Sequence, residues 1–154
     1  MKSTVFAAVA VALSWAIPAH ASPQLRSLFA AIQATGTSVV IDHPQKCSDP
    51  SLMGQYNFQP RVIDEYLICV GNHKANNAEL YDTVLHEAVH VAQACKGGPI
   101  YSAESIIKAA EPKDIQLVGA GYPNHQFNVE LEARVLARQQ DEVFVTTLIK
   151  QHCK

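Results

Sequence analysis

The fold is decided by the stretch Ala78–Cys95, which reads AELYDTVLHEAVHVAQAC. Apolar residues recur in it at steps of three and four, which is the period of one face of an α-helix. They are Leu80, Val84, Leu85, Ala88, Val91, Ala92 and Cys95. Asn77 is placed to cap the start of this helix, and Gly97-Gly98 is placed to end it. The sequence therefore predicts a long amphipathic helix in the middle of the chain.

Ahead of this helix, the chain predicts one helix and a few strands. A first helix is expected to begin at Pro23, with Ser22 as its N-cap. Ser38–Asp42 and Arg61–Gly71 are rich in β-branched and aromatic residues and predict strands. The intervening segment 43–60 predicts a loop that includes a short strand around residues 56–58.

Behind the central helix, the chain predicts mostly helix. Residues 102–110 are expected to form a short helix, 111–125 an irregular loop, and 126–149 one last helix. This order of elements favours an α+β fold, in which one small mixed or antiparallel sheet packs on the central helix and the last helix. No repeat or linker interrupts residues 22–154, which indicates a single domain.

The composition of the 154-residue chain excludes several classes of protein. Hydrophobic residues make up 48% of the chain and charged residues 17%, without a run of one sign, which argues against disorder. The 12 Lys and Arg residues do not outnumber the 14 Asp and Glu residues, so no positive excess is available for nucleic acid. Only one apolar run approaches the length of a membrane span, which excludes a multi-span membrane protein.

That run lies in Met1–Ala21, which has the parts of a cleavable secretory signal. Lys2 precedes an apolar core of about a dozen residues, and the segment ends on the small-x-small pattern AHA. The run is too short for an uncleaved anchor and lacks basic residues after it. We therefore expect cleavage after Ala21, a secreted or periplasmic domain over residues 22–154, and no stable membrane span after cleavage.

Export decides how the four cysteines are interpreted. An even number of cysteines in an oxidising compartment predicts two disulfides, for which three pairings exist. We prefer Cys47–Cys69, which would join two strand regions, and Cys95–Cys153, which would anchor the C-terminal end against the central helix. A zinc site made of all four cysteines is the alternative, but the chain has no C-x2-C pair.

The central helix carries the motif His86-Glu87-Ala88-Val89-His90, an HExxH. Four residues turn an α-helix by about 400°, so His86 and His90 lie on one face and can share one zinc ion. Glu87 lies beside that pair, where it can take a proton from zinc-bound water. The residues around the motif are uncharged, as a buried metal-binding helix requires.

A catalytic zinc site needs a third protein ligand. The metzincin continuation would require Gly at position 93 and His at 96, where this chain has Gln93 and Lys96. A glutamate from the last helix is the other common solution, and Glu130 and Glu132 are the candidates. On a helical wheel centred on Ala133, Glu130 falls at about +60°, inside the apolar stripe, and Glu132 at about −100°, on its flank. A buried carboxylate needs a partner or a metal, so Glu130 is preferred and Glu132 remains the alternative.

Together, the segments LHEAVHVAQ and ELEARVLA resemble the gluzincin class of zinc metallopeptidases, which combine HExxH with a downstream glutamate on a second helix. The resemblance covers residues 80–95 and 126–140. It implies a zincin-like fold, Zn²⁺ as cofactor, and hydrolysis of a peptide or protein substrate. It further implies His86 and His90 as metal ligands, Glu87 as general base, and a glutamate of ELEAR as third ligand.

The resemblance also implies an edge strand before the helix that pairs with the substrate, here the segment Tyr66–Gly71 with Tyr66, Leu67, Ile68 and Val70. A further donor usually stabilises the oxyanion, and Tyr122 and His125, in the loop ahead of the last helix, are the candidates. An ordinary Tyr-Pro turn and a surface histidine are the alternatives for these two residues.

The chain departs from the gluzincin pattern at one position. Four residues after Glu130 it has Arg134, where many members carry Asp or Asn to orient a ligand histidine. Asn128 and Asp82 are the candidates for that role here. The departure keeps a second hypothesis open, in which a zincin-fold module without activity binds a peptide or protein and zinc is structural. The remaining histidines His43, His73 and His152 are expected at the surface, and metal sequestration lacks the His-rich tract it would need.

Overall fold

The computed structural model describes residues 22–59, 63–74 and 76–154, and the predicted signal segment Met1–Ala21 lies outside them. The described part is an α+β domain, as predicted. Its elements, in chain order, are α1 (Pro23–Ala34), β1 (Ser38–Ile41), β2 (Gly54–Gln59), β3 (Ile63–Ile68), α2 (Asn77–Lys96), α3 (Ala103–Ala109), α4 (Pro112–Gly121), α5 (Phe127–Gln139) and α6 (Glu142–His152). Two short 3-10 turns occupy Lys46–Ser48 and Val70–His73.

The sheet has the strand order β1-β3-β2, with β1 parallel and β2 antiparallel to β3. The predicted substrate edge strand over Tyr66–Gly71 is therefore wrong, because Tyr66, Leu67 and Ile68 lie in the central strand with a neighbour on each side. Tyr66 is fully buried, and its hydroxyl donates to the carbonyl of Val84 at 2.8 Å. Val70 lies beyond the strand, in a 3-10 turn. The edge next to α2 belongs instead to β2, since α2 packs on that strand.

The hydrophobic core lies around α2, which contacts β2, β3, α5 and α6. Five of the seven apolar residues predicted from its period are buried, and Leu85, Ala88 and Val91 are fully excluded from solvent. Leu80 is half-buried and Cys95 is exposed. Asn76 rather than Asn77 caps the helix, since its side chain accepts from the amide of Glu79. The helix ends at Gly97, which has a φ of 84°. That left-handed conformation suits glycine and explains why the helix stops there.

Two predictions for the C-terminal half are wrong. The expected loop over 111–125 contains α4, which begins at Pro112 and buries Asp114 and Val118, one turn apart. The expected single helix over 126–149 is two helices, because the chain leaves the helical conformation at Gln140. Asp141 then caps α6 by accepting from the amide of Phe144 at 2.8 Å. A helical wheel that treats residues 126–149 as one helix therefore does not describe one continuous apolar face.

Both disulfides form with the predicted pairing. Cys47–Cys69 joins the 3-10 turn before β2 to the residue after β3, and Cys95–Cys153 ties the C-terminal end to α2. Each links segments that also contact each other through apolar side chains. In the part of the chain described here, no helix has the length and apolar character that crossing a bilayer requires.

Candidate metal centre

Three side chains converge in a cleft between β2, α2 and α5. The Nε2 atoms of His86 and His90 lie 3.1 Å apart, and the Oε2 atom of Glu130 lies 3.4 Å from the first and 3.6 Å from the second. Ligands at zinc–ligand distances of 2.0–2.1 Å and tetrahedral angles are about 3.3–3.4 Å apart. The three atoms therefore lie at the spacing of three corners of a zinc tetrahedron.

Local helix geometry and close helix packing bring these groups together. His86 and His90 are one turn apart on α2, and their rings meet edge to face with centroids 4.7 Å apart. Glu130 comes from the first turn of α5, which packs along α2. Fully buried alanines, Ala88 on α2 and Ala133 on α5, allow the two helices to approach closely.

The carboxylate of Glu130 gives this group of side chains a negative charge, which favours the binding of a cation. Burial opposes ionisation of Glu130, but hydrogen bonds with His86 and His90 outweigh it and lower its pKa to about 2. Burial favours the neutral form of His90, whereas Glu130, Glu87 and Gln93 favour the charged form and leave its pKa raised. Because a metal ligand must be deprotonated, protons compete with a metal for His90 at a higher pH than they do for Glu130.

Gln93 and its hydrogen-bond partners fix which nitrogen of His90 faces His86 and Glu130. The amide nitrogen of Gln93 donates to the carbonyl of Val129 at 3.0 Å and to the carboxylate of Glu132 at 2.7 Å. These oxygens only accept, so the amide oxygen of Gln93 must face His90 Nδ1, at 2.7 Å. Nδ1 therefore carries the proton, and neutral His90 presents the lone pair of Nε2 to Glu130 and His86.

Gln93 was missed as a functional residue in the sequence, where it served only to exclude a metzincin. It does the orienting expected of Asn128 or Asp82, which have no hydrogen bond to His86 or His90 among the described residues. Its position three residues after His90, on the same helix face, is the signal that could have found it. Arg134 instead pairs with the buried Asp114 of α4.

The structure separates the two candidate glutamates. Glu132 is the more buried, with no exposed surface, and its carboxylate also accepts from the amides of Ile100 at 2.7 Å and Tyr101 at 2.6 Å. It therefore joins α5, α2 and the segment after α2 without contacting either histidine. Glu130, with 15% of its side chain exposed, is the carboxylate that faces His86 and His90.

Glu87 lies beside the cluster and also contacts the edge strand. Its Oε2 accepts from the amide of Tyr56, in β2, at 2.7 Å. This contact needs β2 to lie very close to α2, and Gly54 allows it. A Cβ atom at Gly54 would lie 2.7 Å from Thr83 Cγ2 and 3.2 Å from Glu87 Cγ.

Of the two predicted oxyanion donors, only Tyr122 lines the cleft. It is 41% exposed, and partial burial, followed by the charges of Glu130 and Glu87, raises the pKa of its hydroxyl. The hydroxyl thus stays protonated and able to donate at neutral pH. His125 lies in the exposed turn before α5 and does not line the cleft. The prediction that His73 is at the surface is wrong, because it is 2% exposed and its Nε2 lies 3.3 Å from the carbonyl of Met53.

Two cavities meet at the cluster. The first, of about 700 Å³, runs along β2 past Tyr56 and Phe58 to Gln126. The second, of about 650 Å³, runs past Ser51 and the start of α2 to the exposed face of α5. His86, Glu87 and Tyr122 line both cavities. A ligand that fills the cleft from end to end therefore passes over these residues.

The interpretation of Gln93 predicts a measurable effect on metal binding. Gln93→Leu keeps the approximate size of the side chain but lets His90 choose either tautomer and ring orientation. We expect zinc affinity to fall about 10- to 100-fold, the usual effect of losing a residue that orients a metal ligand. Competition with a chromogenic chelator measures it, and the exposed Gln116→Leu serves as control. Unchanged affinity would mean that Gln93 does not orient His90.

Comparison with curated proteins and with solved structures finds no match to this chain. Comparison with protein families does find one, described as a domain of unknown function (DUF8637), and the match covers residues 22–154. The matched range is the part that follows the predicted signal segment and includes His86, His90 and Glu130. The chain therefore belongs to the DUF8637 family.

Proposed function

We propose that this protein is an exported, zinc-dependent metallopeptidase with a zincin-like domain of the gluzincin kind. The single observation that carries the proposal is the convergence of His86, His90 and Glu130 at tetrahedral spacing, with Glu87 beside them. Two imidazoles and one carboxylate are a donor set that zinc prefers, and three protein ligands leave one position open. A zinc ion held there would supply Lewis acidity towards a water molecule and a scissile carbonyl.

The residues of this chain then have distinct roles. Glu87, at the junction of the two cavities, takes a proton from the attacking water and passes it to the leaving amine. Tyr122 donates its hydroxyl hydrogen to the oxygen that gains negative charge, as its place on the cleft and its raised pKa permit. Gln93 holds His90 in the tautomer that binds metal.

The substrate is proposed to lie along β2, which replaces the central strand as the docking edge. The carbonyl of Met53 accepts from Cys69 on the β3 side at 2.9 Å. Successive residues of a strand direct their backbone groups to alternate sides, so Gly54, Tyr56 and Phe58 direct theirs away from β3. Of these groups, the amide of Tyr56 already donates to Glu87. An extended peptide can add to that edge next to the metal cluster.

A binding module without activity is the second candidate, and one contact favours it. The hydrogen bond from the Tyr56 amide gives Glu87 a structural role that does not require catalysis. In that case the metal would hold α2 and α5 together, and a peptide on β2 would be bound but not cleaved.

The proposal of export is supported by the two disulfides. Disulfides persist in secreted and periplasmic proteins and are rare where glutathione keeps thiols reduced. All four cysteines of the chain are paired.

The test of the proposal is a cleavage screen with a peptide library. We expect the purified protein to hold about one zinc ion per chain and to cleave a subset of the library. A strong chelator should abolish cleavage, and one equivalent of zinc should restore it. Cleavage that persists after complete metal removal would contradict the zinc mechanism, whereas a zinc-loaded protein that cleaves nothing would favour the binding module.

A further inference from the structure

The second cavity has a wall of two arginines that the proposed chemistry does not use. Arg134 and Arg138 are four residues apart, so they lie on one face of α5, and both line this cavity together with His86 and Glu87. Their side chains are 32% and 30% exposed. Two guanidinium groups thus border the space next to the metal cluster.

The buried carboxylate of Asp114 accepts a hydrogen bond from each of these arginines. Asp114 of α4 is 2% exposed, and its Oδ1 atom accepts from Arg134 Nε at 3.0 Å and from Arg138 Nη1 at 2.5 Å. One carboxylate charge cannot balance two guanidinium charges, so this wall keeps a net positive charge. Each arginine has five N–H donors and uses one of them on Asp114, so donors remain for a ligand. Because Asp114 fixes the side chains, less rotamer entropy is lost when a ligand binds.

α2 contributes the carboxylates of Glu79, Asp82 and Glu87 to the lining of the same cavity. The cavity is therefore basic on the α5 side only. A ligand carboxylate fits against the arginines, where two anchored donors can bind both of its oxygens.

The direction of β2 decides which part of a peptide enters this cavity. The chain runs from Ser51–Met53, which line the second cavity, to Tyr56 and Phe58, which line the first. A peptide that adds to β2 in the antiparallel sense, the more stable pairing, runs the other way. Its C-terminal portion, beyond the metal cluster, then lies in the second cavity.

We propose that Arg138 and Arg134 bind a carboxylate of the substrate on the C-terminal side of the cleaved bond. The carboxylate comes either from the end of the peptide chain or from an Asp or Glu side chain. This inference rests on the proposed peptidase function and adds the feature of the substrate that the cleft selects.

Binding of matched peptides to Glu87→Gln protein, measured by calorimetry, tests the inference without turnover. Three acetylated pentapeptides are compared. The first two share one sequence and end in a carboxylate and in an amide, and the third ends in an amide and has glutamate at the fourth position. We expect a peptide with a carboxylate to bind about tenfold more tightly than the plain amide. Preference for the first peptide identifies the chain terminus as the source, and preference for the third identifies the side chain.

Adding Arg138→Gln is expected to reduce the preference to less than twofold, while Arg134 continues to pair with Asp114 and preserve the fold. Lys108→Gln removes one positive charge from an exposed site on α3 and should keep the full preference. Arg138→Lys keeps a cation next to Asp114, is expected to keep part of the preference, and replaces the glutamine variant if thermal unfolding shows that variant to be unstable. Equal binding of all three peptides, or a preference that survives Arg138→Gln, would overturn the inference.

The outcome is distinguishable from failure of the peptidase proposal. Suppose that Glu87→Gln protein prefers carboxylates in an Arg138-dependent way but that protein with Glu87 intact cleaves no peptide. That result would contradict the peptidase activity and support the carboxylate site. If the protein cleaves peptides but binds all three equally, the peptidase activity would be supported and the carboxylate site contradicted.

Discussion

Replacing Glu87 with glutamine is expected to abolish peptide cleavage while zinc stays bound. The amide keeps the size of the side chain but cannot take a proton from water, so the step assigned to Glu87 has no base. General acid–base catalysis typically contributes about 10²- to 10⁴-fold, and we expect a loss of at least that size in kcat/KM. The metal ligands are unchanged, so metal analysis should still find about one zinc per chain.

A control variant and a stability measurement complete this experiment. Glu104→Gln, at an exposed site in the first turn of α3, is the control and should cleave at the parent rate. Thermal unfolding of Glu87→Gln reports whether loss of the charge that accepts from the Tyr56 amide weakens the packing of β2 on α2. Cleavage by Glu87→Gln at the parent rate would exclude Glu87 as the base and leave its structural role.

The matched variants Glu130→Gln and Glu132→Gln are expected to lose different properties, zinc affinity in the first and stability of the fold in the second. Glu130→Gln removes the anionic ligand, so zinc affinity should fall by at least about 100-fold, with a small effect on the stability of the metal-free fold. Glu132→Gln replaces a fully buried carboxylate that accepts three hydrogen bonds. The new amide group has no acceptor there, so we expect destabilisation of about 3 kcal/mol or more.

Zinc titration and chemical denaturation of the metal-free proteins measure the two effects separately. Isosteric substitution at neighbouring positions makes each variant the control for the other. If Glu132→Gln lost zinc while keeping its stability, and Glu130→Gln did the opposite, the roles assigned here would be exchanged.

Local pattern was enough to predict the parts of the fold that depend on one helix. The apolar period over Ala78–Cys95 and the four-residue spacing of His86 and His90 are properties of a single helix, and both appear in the structure as expected. Glu130, the preferred third ligand, is the glutamate whose carboxylate lies next to His86 and His90, and its binding of a metal stays a prediction.

The reason given for that preference holds only in part. The wheel placed Glu132 on the flank of the apolar stripe, yet it is the more buried of the two glutamates. The segment after α2 folds back and places the amides of Ile100 and Tyr101 on its carboxylate. This burial depends on a segment from elsewhere in the chain. The periodicity of one helix carries no information about such a contact.

The sheet could not be predicted for a similar reason. The segment around Tyr66 has the composition of a strand, but its central place depends on pairing with β1, which is far from it in sequence, and with β2. Without the register of those pairs, a central strand and an edge strand have the same local sequence signal. The short helix α4 was missed because ten residues with two buried positions give little periodicity.

The most direct test of the central claim is X-ray absorption at the zinc edge, recorded on protein loaded with one equivalent of zinc. We predict a first coordination shell of nitrogen and oxygen only, at about 2.0–2.1 Å, with the multiple scattering of two imidazoles. In the His90→Ala protein, scattering from one imidazole should disappear. A shell that contains sulfur, shows no imidazole, or is the same in His90→Ala would contradict a metal held by His86, His90 and Glu130.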